Sequence, residues 1–197
     1  MTVTYDYAGR VVLVTGGTRG IGAGIADAFR SAGADVVVCG RNPADVPGFV
    51  QADVRDPDSV DRLVGGLRRL DVVVNNAGGT PSAPLHGTSP RLHARIIELN
   101  LTAPLLVAQR AYPLLAASRG SVVMIGSSSG ARPSPGTAAY GAAKAGLHHL
   151  SACLAAEWAP DVRVNTVVVG LVEDASDHYG QAGPGSGAAG LSGDGGI

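Results

Sequence analysis

Lysine is almost absent from this chain: of its 15 strong cations, Lys144 is the one that is not arginine. Aromatic residues are also scarce, at 4%, so a core has to be built from Val, Leu, Ala and Ile within a hydrophobic fraction of 45%. The two cysteines, Cys39 and Cys153, stand far apart, one in a strand pattern and one in a helix pattern. That excludes a disulfide framework and suits reduced, buried small residues in a cytoplasmic protein. A formal net charge of −1 offers no basic excess for nucleic acid or a membrane surface. No apolar run reaches the length of a membrane span, because Pro104 and Arg110 break the most apolar helix pattern. Residues 1–10 lack the apolar core of a signal or transit peptide. The five histidines, including His148 and His149, show no ligand spacing with Cys, Asp or Glu. No metal site is expected, and they read as helix-surface or loop residues.

What remains is an alternation of short Val-rich runs with longer helical patterns. Val11–Thr15, Asp35–Cys39, Asp71–Asn75, Ser121–Ile125 and Arg163–Val169 read as strands, with Phe49–Ala52 as a shorter one. They are near-continuous apolar segments, as expected of parallel strands covered on both faces. Helical patterns run over Gly20–Ala32, Pro57–Leu67, Pro90–Ala117 (with a break at Pro104) and Thr137–Trp158. Asp56 before Pro57 has the form of an N-cap followed by proline at the first helical position. The alternation predicts one α/β domain over residues 1–179, a Rossmann-like doubly wound parallel sheet in three layers. Residues 180–197 are glycine-rich without hydrophobic period and read as a flexible tail.

The first strand runs straight into Thr15-Gly16-Gly17-Thr18-Arg19-Gly20-Ile21-Gly22 and then an apolar helix. Glycines at 16, 20 and 22 allow a tight turn, close approach to a pyrophosphate, and packing of helix on strand. The helix N-terminus presents free N–H groups to an anion. Strand before and helix after is the context that makes this a dinucleotide cradle. An NAD site wants a carboxylate at the tip of the second strand. Here the tip reads Cys39-Gly40-Arg41-Asn42, with Asp35 before the apolar run and Asp45 beyond it. Arg19 and Arg41 are either solvated surface charges or ligands of a 2′-phosphate. The second reading predicts NADP(H) as the cofactor.

Lys144 stands four residues after Tyr140, so the two share a helix face. An ammonium beside a phenol favours the phenolate. Working at neutral pH needs a shift of roughly 3 units, about 4 kcal/mol. A compact point charge suits this better than a planar guanidinium.

Together these residues resemble the short-chain dehydrogenase/reductase family in its NADP-using form, from about Val11 to about Val172. Thr15-Gly16-x-x-x-Gly20-Ile21-Gly22 is similar to the family's cofactor turn. Asp53-Val54 resembles its adenine-contacting pair, and Asn75-Asn76-Ala77-Gly78 its Asn-Asn-Ala-Gly segment. Asn100 matches the helix asparagine, and Ser127 lies thirteen positions before Tyr140, as the catalytic serine does. Ser128 is a register rival. Val164-Asn165 with Gly170 resembles the segment that approaches the nicotinamide. The resemblance implies cofactor contacts at Gly16, Thr18, Arg19, Gly20, Ile21, Gly22, Arg41, Asp53, Val54, Asn76, Ala77, Gly78, Tyr140, Lys144 and Gly170. It implies Tyr140 as general acid/base on a small-molecule carbonyl or alcohol, assisted by Lys144 and Ser127, with Asn100 holding a water for proton supply. It also implies oligomers, and a homodimer is the largest expected here.

The chain departs from the family in two places. Val169-Gly170 stands where Pro-Gly is usual, with Glu173 and Asp174 following where a threonine is frequent. No substrate-covering lobe or seventh strand is legible after Asp177. The alternative reading is therefore a non-catalytic dinucleotide-binding remnant that keeps the cradle and lacks a closed substrate site.

Overall fold

A computed structural model of the chain describes residues 4–172. The glycine-rich segment 180–197 and the pair Glu173–Asp174 lie outside the described residues. Six strands form one sheet: β1 (Val11–Thr15), β2 (Asp35–Gly40), β3 (Phe49–Gln51), β4 (Val72–Asn75), β5 (Ser121–Ser127) and β6 (Arg163–Val169). Their order is β3-β2-β1-β4-β5-β6, and every pair is parallel. The valine runs explain this, because successive residues point to opposite faces and both faces are covered. Leu13, Val73 and Val122 pack on one side with α2 (Pro57–Gly65), α4 (Ala103–Ser118) and α5 (Ala138–Trp158). Val12, Val14, Val36, Val38, Val72 and Val74 pack on the other with Ala26 of α1 (Gly20–Ser31). A fully buried Leu or Val contributes about 1.5–3 kcal/mol relative to an exposed one, so these two clusters hold the layers together.

Local signals set several boundaries. The Asp56 carboxylate accepts from the Asp58 N–H at 3.2 Å with Pro57 at the first position of α2, as expected. Ser89 does the same for α3 (Pro90–Ile97), accepting from Leu92 N–H at 3.3 Å. The predicted break in the long helix does not fall at Pro104. It spans Glu98–Thr102 as a π-helical turn, and Pro104 lies in the first turn of α4. Proline has no N–H to offer the carbonyl four residues back, so the irregularity accumulates ahead of it. Cys153 corrects its expected burial: it is exposed, whereas Cys39 is buried.

The N-terminal ends of β1 and β4 are tied by Asp71, which is 5% exposed. It accepts from Arg10 at 2.8 Å, from Arg69 at 2.7 Å through two nitrogens, and from the Val11 N–H at 2.9 Å. The Arg69 hydrogen bond, with Arg10 and Val11, holds this carboxyl well below the usual carboxylate range. Asp71→Ala is expected to cost about 2 kcal/mol at pH 7, because a buried carboxylate that accepts from two arginines and the Val11 N–H is lost. A carboxylate with a depressed folded pKa stabilises above its unfolded value of about 4, and that increment is lost as pH falls below it. Urea midpoints of the two proteins should therefore draw steadily together as pH falls from about 4 toward the acid limit. A constant gap over that range would show that the ion network is not its source.

Candidate active site

Strand order reverses at β1 and β4, so the loops leaving them diverge and open a crevice at the carboxyl edge of the sheet. A cleft of about 760 Å³ lies there. Its floor is stitched from two loops. Thr15 Oγ1 accepts from the N–H groups of Asn76 and Ala77, each at 3.0 Å. Asn76 Nδ2 donates back to the carbonyls of Thr15 and Gly16, at 2.9 and 3.1 Å. Gly22 sits where any Cβ would collide with Asn76 Nδ2 and the Gly16 carbonyl oxygen. Gly20 is the reverse case: its φ is +54°, and a Cβ there would meet nothing within 4 Å, so the turn opens onto free space.

Helix α1 begins at this opening without a capping side chain or an acidic residue in its first turn. Both α2 and α3 carry side-chain caps at their starts. Free N–H groups facing an open, glycine-lined space fit a pyrophosphate. Gly16, Thr18, Arg19, Gly20, Ile21 and Gly22 all line the cleft, as do Asn76, Ala77 and Gly78 on the opposite loop. Arg41 lines it at the β2 tip, whereas neither Asp35 nor Asp45 does. Asp53 and Val54 line it too, but the Asp53 carboxylate is already engaged by Arg55, at 2.6 Å and 3.0 Å. That hydrogen bond holds the Asp53 carboxyl below its ordinary value. Cys39 lies in the wall, and burial pushes its thiol up to about 11, so it stays protonated.

The other end of the cleft is chemical in character. Ser127 closes β5, which runs two residues further than predicted, and Tyr140 and Lys144 lie in the first two turns of α5. Both helical residues are buried, Tyr140 at 8% exposure and Lys144 at 4%. The Lys144 Nζ is 5.7 Å from the Tyr140 ring centre and donates to the Ile125 carbonyl at 2.8 Å. Burial pushes its ammonium down to about 8. Ser127, not Ser128, lines the cleft, and its Oγ accepts from the Ser129 N–H at 3.2 Å. Gly170 lines the far wall beyond β6.

The short chain dehydrogenase family model matches residues 10–182. The chain belongs to the short-chain dehydrogenase family. It is 36% identical over 182 residues to an uncharacterised oxidoreductase of Mycobacterium tuberculosis, covering 83% of this chain and 69% of that one. It is 37% identical over 181 residues to the L-fucose dehydrogenase of Oryctolagus cuniculus, covering 84% and 64% respectively. Among solved structures it resembles the Pseudomonas aeruginosa RhlG/NADP active-site complex, with a TM-score of 0.81 and 32% identity over 90% of this chain and 79% of that one. The chain thus spans 64–69% of the length of these two curated relatives. Membership places this short-chain dehydrogenase among oxidoreductases that interconvert carbonyls and alcohols with a nicotinamide dinucleotide.

Asn100 is the expected residue that does not line the cleft. It lies behind the wall at 0% exposure, inside the π-helical turn. Its amide spans Gly79, accepting from the N–H at 3.0 Å and donating to the carbonyl at 2.8 Å, and it also donates to the Ile96 carbonyl at 2.9 Å. Its side chain therefore anchors the loop after β4. His148 corrects the reading of the histidines as helix-surface or loop residues: it is partly buried and accepts the Ser127 N–H at 3.3 Å through Nε2. A signal for it existed in this short-chain dehydrogenase, since Tyr140, Lys144 and His148 recur at i, i+4 and i+8 on one helix face. Among the described residues, no helix is long and apolar enough to cross a membrane, and no cluster of His, Cys, Asp or Glu could hold a metal ion.

Proposed function

We propose that this short-chain dehydrogenase interconverts a small-molecule carbonyl and alcohol with NADP(H), using Tyr140 as general acid/base. The observation that carries the reading is the sharing of one cleft by Ser127, Tyr140 and Lys144 with the open glycine turn and two arginines. When bound, the nicotinamide supplies or accepts the hydride. In reduction, Tyr140 gives its phenolic proton to the substrate oxygen. The Lys144 ammonium beside it eases that transfer by favouring the phenolate. Ser127, whose Oγ already accepts from Ser129, keeps its hydroxyl proton for the substrate oxygen, where charge develops. Asn100 would hold the water that resupplies the proton, with its side chain committed to Gly79 and Ile96.

The NADP(H) preference rests on Arg19 and Arg41 at the cleft and on the lack of a lining carboxylate at the β2 tip. Fluorescence titration of the purified chain is expected to show NADPH binding at least about tenfold tighter than NADH. Arg41→Ala should raise the NADPH dissociation constant about tenfold, near 1.4 kcal/mol, and leave NADH unchanged. Equal affinities in the parent, or an unmoved NADPH constant in the variant, would overturn the preference. The remnant reading draws on β6, an edge strand among the described residues with Val167 and Val168 each 51% exposed. A panel of aldehydes and ketones separates the two: NADPH-dependent turnover supports the enzyme, and tight binding without turnover supports the remnant.

A further inference from the structure

The His148 ring is the one titratable group against the catalytic strand that the mechanism above does not use. It occupies a space that only glycine leaves open. A Cβ at Gly126 would collide with His148 Nε2, and one at Gly130 would lie 2.9 Å from Cε1. The ring is thus lodged under the Gly126–Gly130 turn, whose second residue is Ser127. From there Nε2 accepts the Ser127 N–H. This bond sits at the junction where β5 ends and the chain enters a 3₁₀ turn, the point that sets where the serine hydroxyl stands.

We infer that His148 is a positioning residue for the reaction, whose neutral imidazole holds the Ser127 main chain and so aims the serine hydroxyl. The inference rests on the oxidoreductase reading of this site. Nε2 can accept only when the ring is neutral with its proton on Nδ1; a second proton turns the acceptor into a donor facing another donor. Lys144, one turn earlier on α5, is the charged group beside the ring. The packed neighbours from β5, β6 and the 3₁₀ turn are Gly126, Thr166 and Gly130, none of them ionisable. Burial first, and the Lys144 charge second, hold the imidazole below its usual value. The neutral state is therefore present above that midpoint and lost as pH falls through it. In the reducing direction Tyr140 loses its proton as pH rises, so an acid limb belongs to a different group.

The test uses the full chain, NADPH and 4-nitrobenzaldehyde as the carbonyl probe. In the parent, kcat for reduction is expected to fall below a midpoint under pH 6.5, and the Ser127 amide resonance should move with the same midpoint. His148→Leu should lower kcat about tenfold with NADPH affinity unchanged, since a misplaced catalytic group costs turnover before binding. His148→Gln, whose Oε1 reaches the Nε2 position and offers an acceptor that does not titrate, should regain most of the rate and lose the acid limb. A merely structural histidine would not move the pH profile in that way. Turnover in the parent with a Ser127 amide that does not titrate, or an unaltered profile in His148→Gln, overturns the inference and leaves the function standing. A titrating amide in a parent that turns over neither this aldehyde nor a broader carbonyl panel sinks the oxidoreductase reading, and the positioning role with it.

Discussion

Tyr140→Phe is expected to lower kcat for carbonyl reduction by about 10³-fold, with the NADPH dissociation constant within about twofold of the parent. The phenol ring is 8% exposed and packs with Ala83 and Ile96, and phenylalanine fills the same space. Lys144 keeps its bond to the Ile125 carbonyl in the variant, so the floor of the site should persist. What disappears is one hydroxyl, and with it the proton donor. Positioned proton transfer is worth about 10² to 10⁴ in rate. Ser127 continues to polarise the substrate oxygen, which is why a residual rate should survive. Stopped-flow or steady-state NADPH oxidation beside a fluorescence titration measures both quantities. Unchanged turnover in this variant would remove Tyr140 from the mechanism. A parallel collapse of binding would instead assign the tyrosine to the nucleotide site.

Gly22→Ala should weaken NADPH binding by at least about 100-fold and lower the melting temperature by about 8 °C. The added methyl would collide with Asn76 Nδ2 and with the carbonyl oxygen of Gly16. The first of these is a side chain that could turn away, at the loss of its bonds to Thr15 and Gly16. The second is backbone in the turn itself, and it cannot yield without moving the start of α1. Overpacking of this kind costs about 1–3 kcal/mol in stability. The loss in affinity arises separately, because the displaced helix start carries the uncapped N–H groups that face the open turn. Titration and a thermal melt of the variant report the two effects independently. Binding within twofold of the parent would show that the turn tolerates the shift, and that the pyrophosphate is held elsewhere.

The parts of this protein legible before any coordinates are those governed by short-range rules. Short apolar runs of four to seven residues, most of them rich in valine, marked the six strands, and glycine spacing marked the turn after β1. Asp56-Pro57 marked the start of α2, and the i, i+4 relation of Tyr140 and Lys144 placed the pair in one helix. Each depends on backbone conformation or on neighbours within one or two turns, so the chain itself carries the information. Reading the sites of Ser127 and Asn76 needed the family resemblance as well, because nothing local distinguishes them from loop residues.

Tertiary structure decided what depends on atoms brought together from distant elements. Burial is a property of packing, so it was the fold that exposed Cys153 and desolvated Lys144 toward a pKa of about 8. The Gly79 anchor made by Asn100 required side-chain directions that periodicity does not supply. The π-helical turn at Glu98–Thr102 arises where a proline and a buried asparagine act on the same stretch of helix. His148 meets Ser127 across 21 positions because Gly126 and Gly130 leave room for its ring. The sequence by itself determined the layers and the cradle, since these follow from local conformation and hydrophobic period. The protonation, anchoring and aim of the catalytic groups were decided by tertiary structure, because desolvation and hydrogen-bond geometry exist only once separate elements are packed together.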